Sequence, residues 1–330
     1  MKFIGSKWVR ILFQAIGVAL FAVILTRVDL GKIWIAYRHI ELSQAFAGIA
    51  LLFVLTLLKS LRWRRIVSSQ GMKVPVSMSF RIYAASLYLG VMTPGHIGDF
   101  AKSLYLTGRG MTAGKAIFSS LADRLFDIVF LAVIGYASLL FFPRIFANQL
   151  LISSVLLALV ATTVVALFCR REFLKRFVRR FLSGMPDWGI RASINRVVTE
   201  SIGEFGLFGI RTSSIAALLT LAAWMAHYLF FIIFAKALGL GASIPVLIVS
   251  VSAAVFVALI PVSLSGLGTR DLALILIFSR AGLSREAAVT FSFAFILVYL
   301  IQGFTGLLCW MSVPLHSKKA REEPVEQGVP

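Results

Sequence analysis

The sequence predicts an all-α integral membrane protein with about six full transmembrane helices and two re-entrant helical hairpins related as an inverted repeat. Three observations predict it. Apolar residues make up 59 % of the 330-residue chain and charged residues 14 %, against about 45–50 % and roughly 25 % in soluble domains. Apolar runs approaching the roughly 20 helical residues that cross a bilayer recur along the chain. Two Gly/Pro-rich breaks, Thr93-Pro-Gly-His-Ile-Gly-Asp99 and Pro261-Val-Ser-Leu-Ser-Gly-Leu-Gly-Thr-Arg-Asp271, interrupt that apolar sequence and end in a carboxylate. Unpaired backbone groups are costly in hydrocarbon, so broken helices persist there only where protein or a water-filled cavity covers them. Two such breaks in corresponding positions of two halves point to a binding site near the membrane midplane.

Taken in order, Lys2, Lys7 and Arg10 precede an apolar run over 11–25 with no small-residue cleavage site after it. This predicts a retained first span over 8–26 rather than a signal peptide. The second span, 42–58, carries no charge and ends in Lys59-Ser-Leu-Arg-Trp-Arg-Arg65, a cluster that marks the cytoplasmic side. Lys59 and Arg62, one turn apart on one helical face, are equally suited to anchoring and to gripping headgroups. Residues 76–92 run into the first break and 100–107 are too short to cross, so 76–107 reads as a re-entrant hairpin. Spans over 116–142 and 150–168 follow, then a basic cytoplasmic connection over 169–212. Its Arg170, Arg171, Lys175, Arg176, Arg179 and Arg180 interleave with Phe173, Phe177 and Phe181, a pattern that suits an amphipathic surface helix. A span over 213–238 leads to the second hairpin, 244–264 with 271–279, and 286–313 returns inward. Residues 1–313 form one polytopic domain, with repeats over about 76–142 and 244–313, and 314–330 read as a disordered cytoplasmic tail. Both termini are then cytoplasmic.

The repeat is visible residue by residue. Aligned without gaps on Asp99 and Asp271, Asp, Ala, Leu and Gly recur at the same offsets, Gly110 falls on Gly282, and Thr112 falls on Ser284. Thr112 and Ser284 each follow a Gly-x pair and precede an apolar helix, as N-caps do. The first copy enters from inside and the second from outside, which is the architecture of alternating-access transporters.

Composition also excludes some functions. The net charge of +19 comes from residues that flank hydrophobic spans, so it serves orientation and anionic headgroups; no nucleic-acid partner is expected. Cys169 and Cys309 supply neither a disulfide framework nor a metal set. The four histidines are scattered without ligand spacing and, with Trp224 and Tyr228, read as ordinary packing residues; no metal or cofactor is expected. There is no dinucleotide fingerprint, P-loop or His-Glu-x-x-His motif, and no credible Ser/His/Asp set.

Charges at depth are the candidate site, since such residues are rare, usually paired and functional by default. Asp99, Lys102, Asp123, Arg124, Asp127, Arg270 and Asp271 qualify. One reading is a structural ion-pair cluster; the sharper one is a polar cavity for a phosphate-bearing headgroup. Arg124 and Arg270 are then the phosphate ligands, because their planar forks match phosphate oxygens. Gly95, Gly98, Gly266 and Gly268 let backbone N–H groups approach the anion. Asp99 and Asp271 bind an amine, hold the arginines or carry protons.

Four stretches together resemble a known family: Lys59-x-x-Arg62-Trp, Pro94-Gly95-x-Ile-Gly98-Asp99-x-x-Lys102, Asp123-Arg124-x-x-Asp127, and Pro261…Ser265-Gly266-Leu-Gly268-x-Arg270-Asp271. They are similar to the transmembrane, flippase-like domain of lysylphosphatidylglycerol synthetases over nearly the whole chain. The resemblance implies a polytopic inner-membrane protein that moves or handles a lipid, and it makes these motif residues its substrate-binding set. Where the family usually carries Glu, this chain has Asp99, Asp123 and Asp271, the same charge on a shorter side chain. The aminoacyl-transfer domain of the synthetases has no counterpart in these residues, so lysyl transfer is not expected.

The expected function is a lipid flippase or transporter for a phosphate-bearing lipid: an aminoacylated or glycosylated phospholipid, or a polyprenyl phosphate. Its partners are anionic membrane lipids and a separate lipid synthase or glycosyltransferase. The alternatives are a membrane-embedded enzyme with Asp99 or Asp127 as general base, and a non-catalytic subunit that recruits a synthase through 170–180.

Overall fold

In a computed structural model the described residues are 38, 40–140, isolated positions between 154 and 181, 191–205, 208–259 and 269–313. The expected first span, most of the span over 150–168, the second break at 261–268 and the tail lie outside them. All regular structure among the described residues is helical. In chain order these helices are α1 (Leu42–Ser69), α2 (Val76–Val91), a 3-10 turn (Pro94–Phe100), α3 (Ala101–Thr107), α4 (Ala113–Leu139), α5 (Arg191–Phe205), α6 (Ile210–Ala237), α7 (Ile244–Leu259), α8 (Thr269–Arg280) and α9 (Arg285–Ser312).

α1, α6 and α9 are 28 residues each and apolar enough to cross a membrane; at 1.5 Å per residue they reach about 42 Å. α4 is nearly as long, at 27 residues, but Asp123, Arg124 and Asp127 interrupt its apolar sequence. α2 has 16 residues and α3 has 7. Neither alone spans the roughly 30 Å hydrocarbon core. α1 does not stop at 58, where the apolar run ends, but continues to Ser69. The extension carries Lys59, Arg62 and Trp63 into the interior while Arg64 donates to the Val74 carbonyl at 2.6 Å.

Packing is reciprocal. α1 lies against α6; α2 lies against α9, as α7 lies against α4; α3 packs on α4, as α8 packs on α9. Exchanging α1, α2, α3 and α4 for α6, α7, α8 and α9 maps this set of contacts onto itself. The connecting turns repeat in detail, 172 residues apart. Met111 N–H donates to the Leu106 carbonyl and Leu283 N–H to Phe278; Gly110 N–H donates to Thr107 and Gly282 N–H to Ser279. Gly110 and Gly282 both sit in the left-handed region, at φ 93° and 76°, where a side chain is disfavoured. Ser284 caps α9 by accepting from Ala287 N–H at 3.1 Å. Thr112 instead turns its hydroxyl to Glu200 Oε1, 2.5 Å away on α5.

The core is aromatic where α6 meets α9: the Phe231 ring centroid is 4.2 Å from Phe295 and 5.4 Å from Phe291. α5 docks on the start of α4. Phe205 meets Phe118 edge-on at 4.7 Å, and Ser201 donates to the Gly114 carbonyl at 2.8 Å. Most of the basic stretch expected to lie on the membrane surface, 170–181, falls outside the described residues.

Candidate functional site: a charged cavity between the helices

Four elements build the site. α1 presents Lys59 and Arg62 from adjacent turns. α4 presents Asp123 and Asp127 four residues apart, hence on one face, with Arg124 beside them. The first break brings Asp99 to Arg124, and α3 brings Lys102 to Asp123.

The break is held by small residues and one hydroxyl. Thr93 Oγ1 accepts from Gly98 N–H at 2.7 Å and faces the Leu89 carbonyl at 3.0 Å. A Cβ on Gly98 would overlap the Leu89 carbonyl, and one on Gly90 would overlap the Asp99 carboxylate. The glycines thus let the 3-10 turn close onto the end of α2, and the Gly98 amide is used inside the turn. His96 pays for the turn with a left-handed backbone, φ 56°.

Arg62 is the hub. Its Nε donates to Asp123 Oδ1 at 2.8 Å, and its Nη1 and Nη2 grip the two oxygens of Asp127 at 2.8 and 3.0 Å, a charge-assisted fork. Nη1 also donates to Thr220 Oγ1 at 3.0 Å. Asp123 Oδ2 takes Lys102 Nζ at 2.5 Å and the Tyr83 hydroxyl at 3.2 Å. Asp127 takes Trp224 Nε1 at 2.9 Å and Lys59 Nζ at 3.2 Å. Lys59 also lies 4.7 Å from the centre of the Trp224 ring. Arg62, Lys102 and Asp123 are at most 2 % exposed, so a buried charge network with its partners in place ties α1, α3 and α4 together.

In front of this network is a cavity of about 100 Å³. Its polar lining includes Lys59, His96, Asp99, Arg124, Asp127 and Gln302; its apolar lining includes Leu55, Leu87, Leu131, Val255 and Val298. The wider cluster has four cations, Lys59, Arg62, Lys102 and Arg124, against three carboxylates, Asp99, Asp123 and Asp127. Among the described residues one positive charge is left over, beside a cavity, among apolar helices.

The second cluster is separate. Arg270, fully buried, donates from Nη2 to Asp271 Oδ1 and to Ser292 Oγ, both at 3.0 Å. Ser292 also bonds Asp271. The guanidinium sits 5.0 Å from the Phe295 ring and 5.8 Å from Tyr299, and both rings also line the cavity. Arg270 Nη1 is buried with no hydrogen-bond partner among the described residues.

Of the residues singled out from sequence, Lys59, Asp99, Arg124 and Asp127 line the cavity. Arg62, Lys102 and Asp123 stand behind it. Pro94, Gly95 and Gly98 form the turn, Arg270 and Asp271 form the neighbouring cluster, and Pro261, Ser265, Gly266 and Gly268 lie outside the described residues. Among the cavity residues not singled out as site residues from sequence are His96, Trp224, His227, Tyr299 and Gln302. Trp224 and His227, read as packing residues, do pack with rings 5.2 Å apart, but they also line the cavity. The only signal for His96 was its place inside the Pro-Gly break. Among the described residues no three His, Cys, Asp or Glu side chains are grouped to hold a metal.

Long apolar helices around a buried, charge-lined cavity define a polytopic membrane protein. The family described as the lysylphosphatidylglycerol synthase transmembrane region matches residues 10–306, and the chain belongs to that family. No curated protein matches the chain. The family places it in membrane-lipid biology.

Proposed function

We propose that the protein is a transporter that moves a phosphate-bearing lipid across the cytoplasmic membrane, and not an enzyme. The observation that carries this reading is the surplus positive charge at the cavity. A phosphodiester bears one negative charge and would neutralise it, with Arg124 and Lys59 as its ligands. Arg124 side-chain atoms are 22 % exposed and those of Lys59 16 %, against none for Arg62, so these two cations are the reachable ones. Asp99 releases Arg124 to the phosphate or takes the amine of an aminoacylated headgroup. Asp127 is engaged by Arg62, Lys59 and Trp224, which makes it a poor general base. The reciprocal packing and the repeated turns support an inverted repeat, and with it alternating access through two re-entrant hairpins. On this reading both termini are cytoplasmic, and anionic lipids and a lipid synthase or glycosyltransferase are the partners.

The test is transbilayer transfer of labelled lipid in proteoliposomes, with Asp99→Ala, Arg124→Ala and Asp271→Ala beside wild type. Transfer should be lost in the variants while insertion persists. Normal transfer by all three removes the site assignment. Product made from lipid in detergent, with no bilayer present, would instead reveal a headgroup-modifying enzyme.

A further inference from the structure

A second, smaller cavity of about 50 Å³ adjoins the first. Thr56, Leu87 and Gln302 line both, so the two meet at these three side chains, which form a neck between them. Beyond the neck the walls come from α1, α2 and α9 and are apolar: Leu52, Phe53, Phe80, Ala84 and Ile301. The outer end reaches the surface that would face lipid, where Phe53 is 53 % and Ile49 49 % exposed. Phe53 and Phe80 flank this end with ring centroids 5.0 Å apart. One turn along α9 the helices close again, where a Cβ on Gly306 would overlap the Ala84 carbonyl. The opening is therefore bounded, and its polar groups are confined to the neck and one hydroxyl, Thr305, on the wall.

We infer that this groove is a lateral portal that holds an acyl chain of a glycerophospholipid while its headgroup occupies the charged cavity. The inference rests on the transporter reading and extends it to the lipid's tail. Three features select the occupant. The groove adjoins the charged cavity across three shared side chains, Thr56, Leu87 and Gln302, so one amphipathic molecule can lie along both. Its apolar walls suit methylenes, which gain free energy when buried from water but nothing when taken from bilayer; the groove therefore orients the chain rather than binding it tightly. The neck places the Gln302 amide where a glycerol ester would lie, between phosphate and chain, beside Thr56, whose hydroxyl donates to the Leu52 carbonyl at 2.9 Å. A polyprenyl phosphate has no ester oxygens at that level. The Gln302 amide lines both cavities and carries two N–H donors that suit an ester carbonyl.

The experiment is photolabelling in vesicles of phosphatidylethanolamine and phosphatidylglycerol, using phosphatidylglycerol with a diazirine in one acyl chain. Adducts are mapped by mass spectrometry. Labelling is expected on Leu87, Ile301 and their neighbours, which face inward, as well as on exposed α6 positions such as Leu218. Leu87→Trp, which fills the neck, should cut the inward adducts at least five-fold and leave Leu218 unchanged; Leu87→Ala should retain them and shows that the position tolerates substitution. Labelling confined to exposed faces in both wild type and Leu87→Ala overturns the portal. So does displacement of inward label by polyprenyl phosphate but not by unlabelled phosphatidylglycerol. Retention of phosphate-bearing lipid by the purified protein, wild type beside Arg124→Gln, separates the two readings. Arg124-dependent retention without inward labelling removes the portal and keeps the headgroup site; inward labelling with Arg124-independent retention keeps the portal and removes the headgroup site.

Discussion

Arg62 and Arg124 carry the same charge in the same cluster, and their surroundings assign them opposite roles. Arg62 is fully buried and engages two carboxylates and a threonine. Removing one partner from a buried ion pair costs about 3–5 kcal/mol, because the remaining charges stay desolvated and unpaired. Arg62→Ala is therefore expected to lower the thermal midpoint in detergent sharply, and to lose transfer through loss of fold. Arg124 borders the cavity and pairs with Asp99 alone among the described carboxylates, so Arg124→Gln leaves one carboxylate short of its cation instead of two and should destabilise clearly less than Arg62→Ala while losing lipid retention. Thermal unfolding followed by intrinsic fluorescence distinguishes the two; equal destabilisation would contradict the division. The sequence identified the charges but not this division. Helical spacing puts Lys59 with Arg62 and Asp123 with Asp127, yet which of them meets open space depends on the depth at which α1 and α4 pack. His96, Trp224, His227 and Gln302 were illegible for the same reason, since each comes from an element that only tertiary packing brings to the cavity.

At the scale of elements, the Pro-Gly break was legible because apolar helices rarely tolerate such a segment, and the structure explains each small residue in it. Gly98 and Gly90 permit the close approach of the turn to α2. Gly98→Ala should therefore displace Asp99 from Arg124 and abolish transfer. His96 makes a contrasting prediction. A non-glycine residue in the left-handed region costs about 1–2 kcal/mol, so His96→Gly removes strain at φ 56° and also removes the imidazole beside the Tyr299 ring, 6.1 Å away. Stability equal to or above wild type with reduced transfer is expected. Reduced stability in thermal unfolding would mean that packing by the ring outweighs the strain. Element ends were less legible. α1 runs past its apolar stretch to Ser69 because its charged turns are buried against α4, and hydropathy has no means of registering partners that distant in sequence.

For the whole molecule, α2 pairs with α9 and α7 with α4, so under the proposed alternating access the two proposed repeats meet along these two seams. The α4–α7 seam offers a place to lock their movement. A Cβ built on Gly135 would lie 3.5 Å from the Ser252 Cβ, at the short end of the 3.5–4.5 Å span of disulfides. In a background with Cys169 and Cys309 replaced by Ser, the Gly135→Cys/Ser252→Cys pair should oxidise to a crosslink. If α7 must shift against α4 for the cavity to open to the other face, the crosslinked protein will bind lipid, fail to transfer it and recover on reduction. Retained transfer in the fully crosslinked protein would place the moving boundary elsewhere, with the α2–α9 seam at Ala84 and Gly306 as the next to lock. Loss of lipid binding along with transfer would show that the crosslink deforms the cavity rather than stopping its movement. The single-cysteine variants, which cannot crosslink, measure the cost of the substitutions themselves, including loss of the Ser252–Tyr228 hydrogen bond of 2.8 Å.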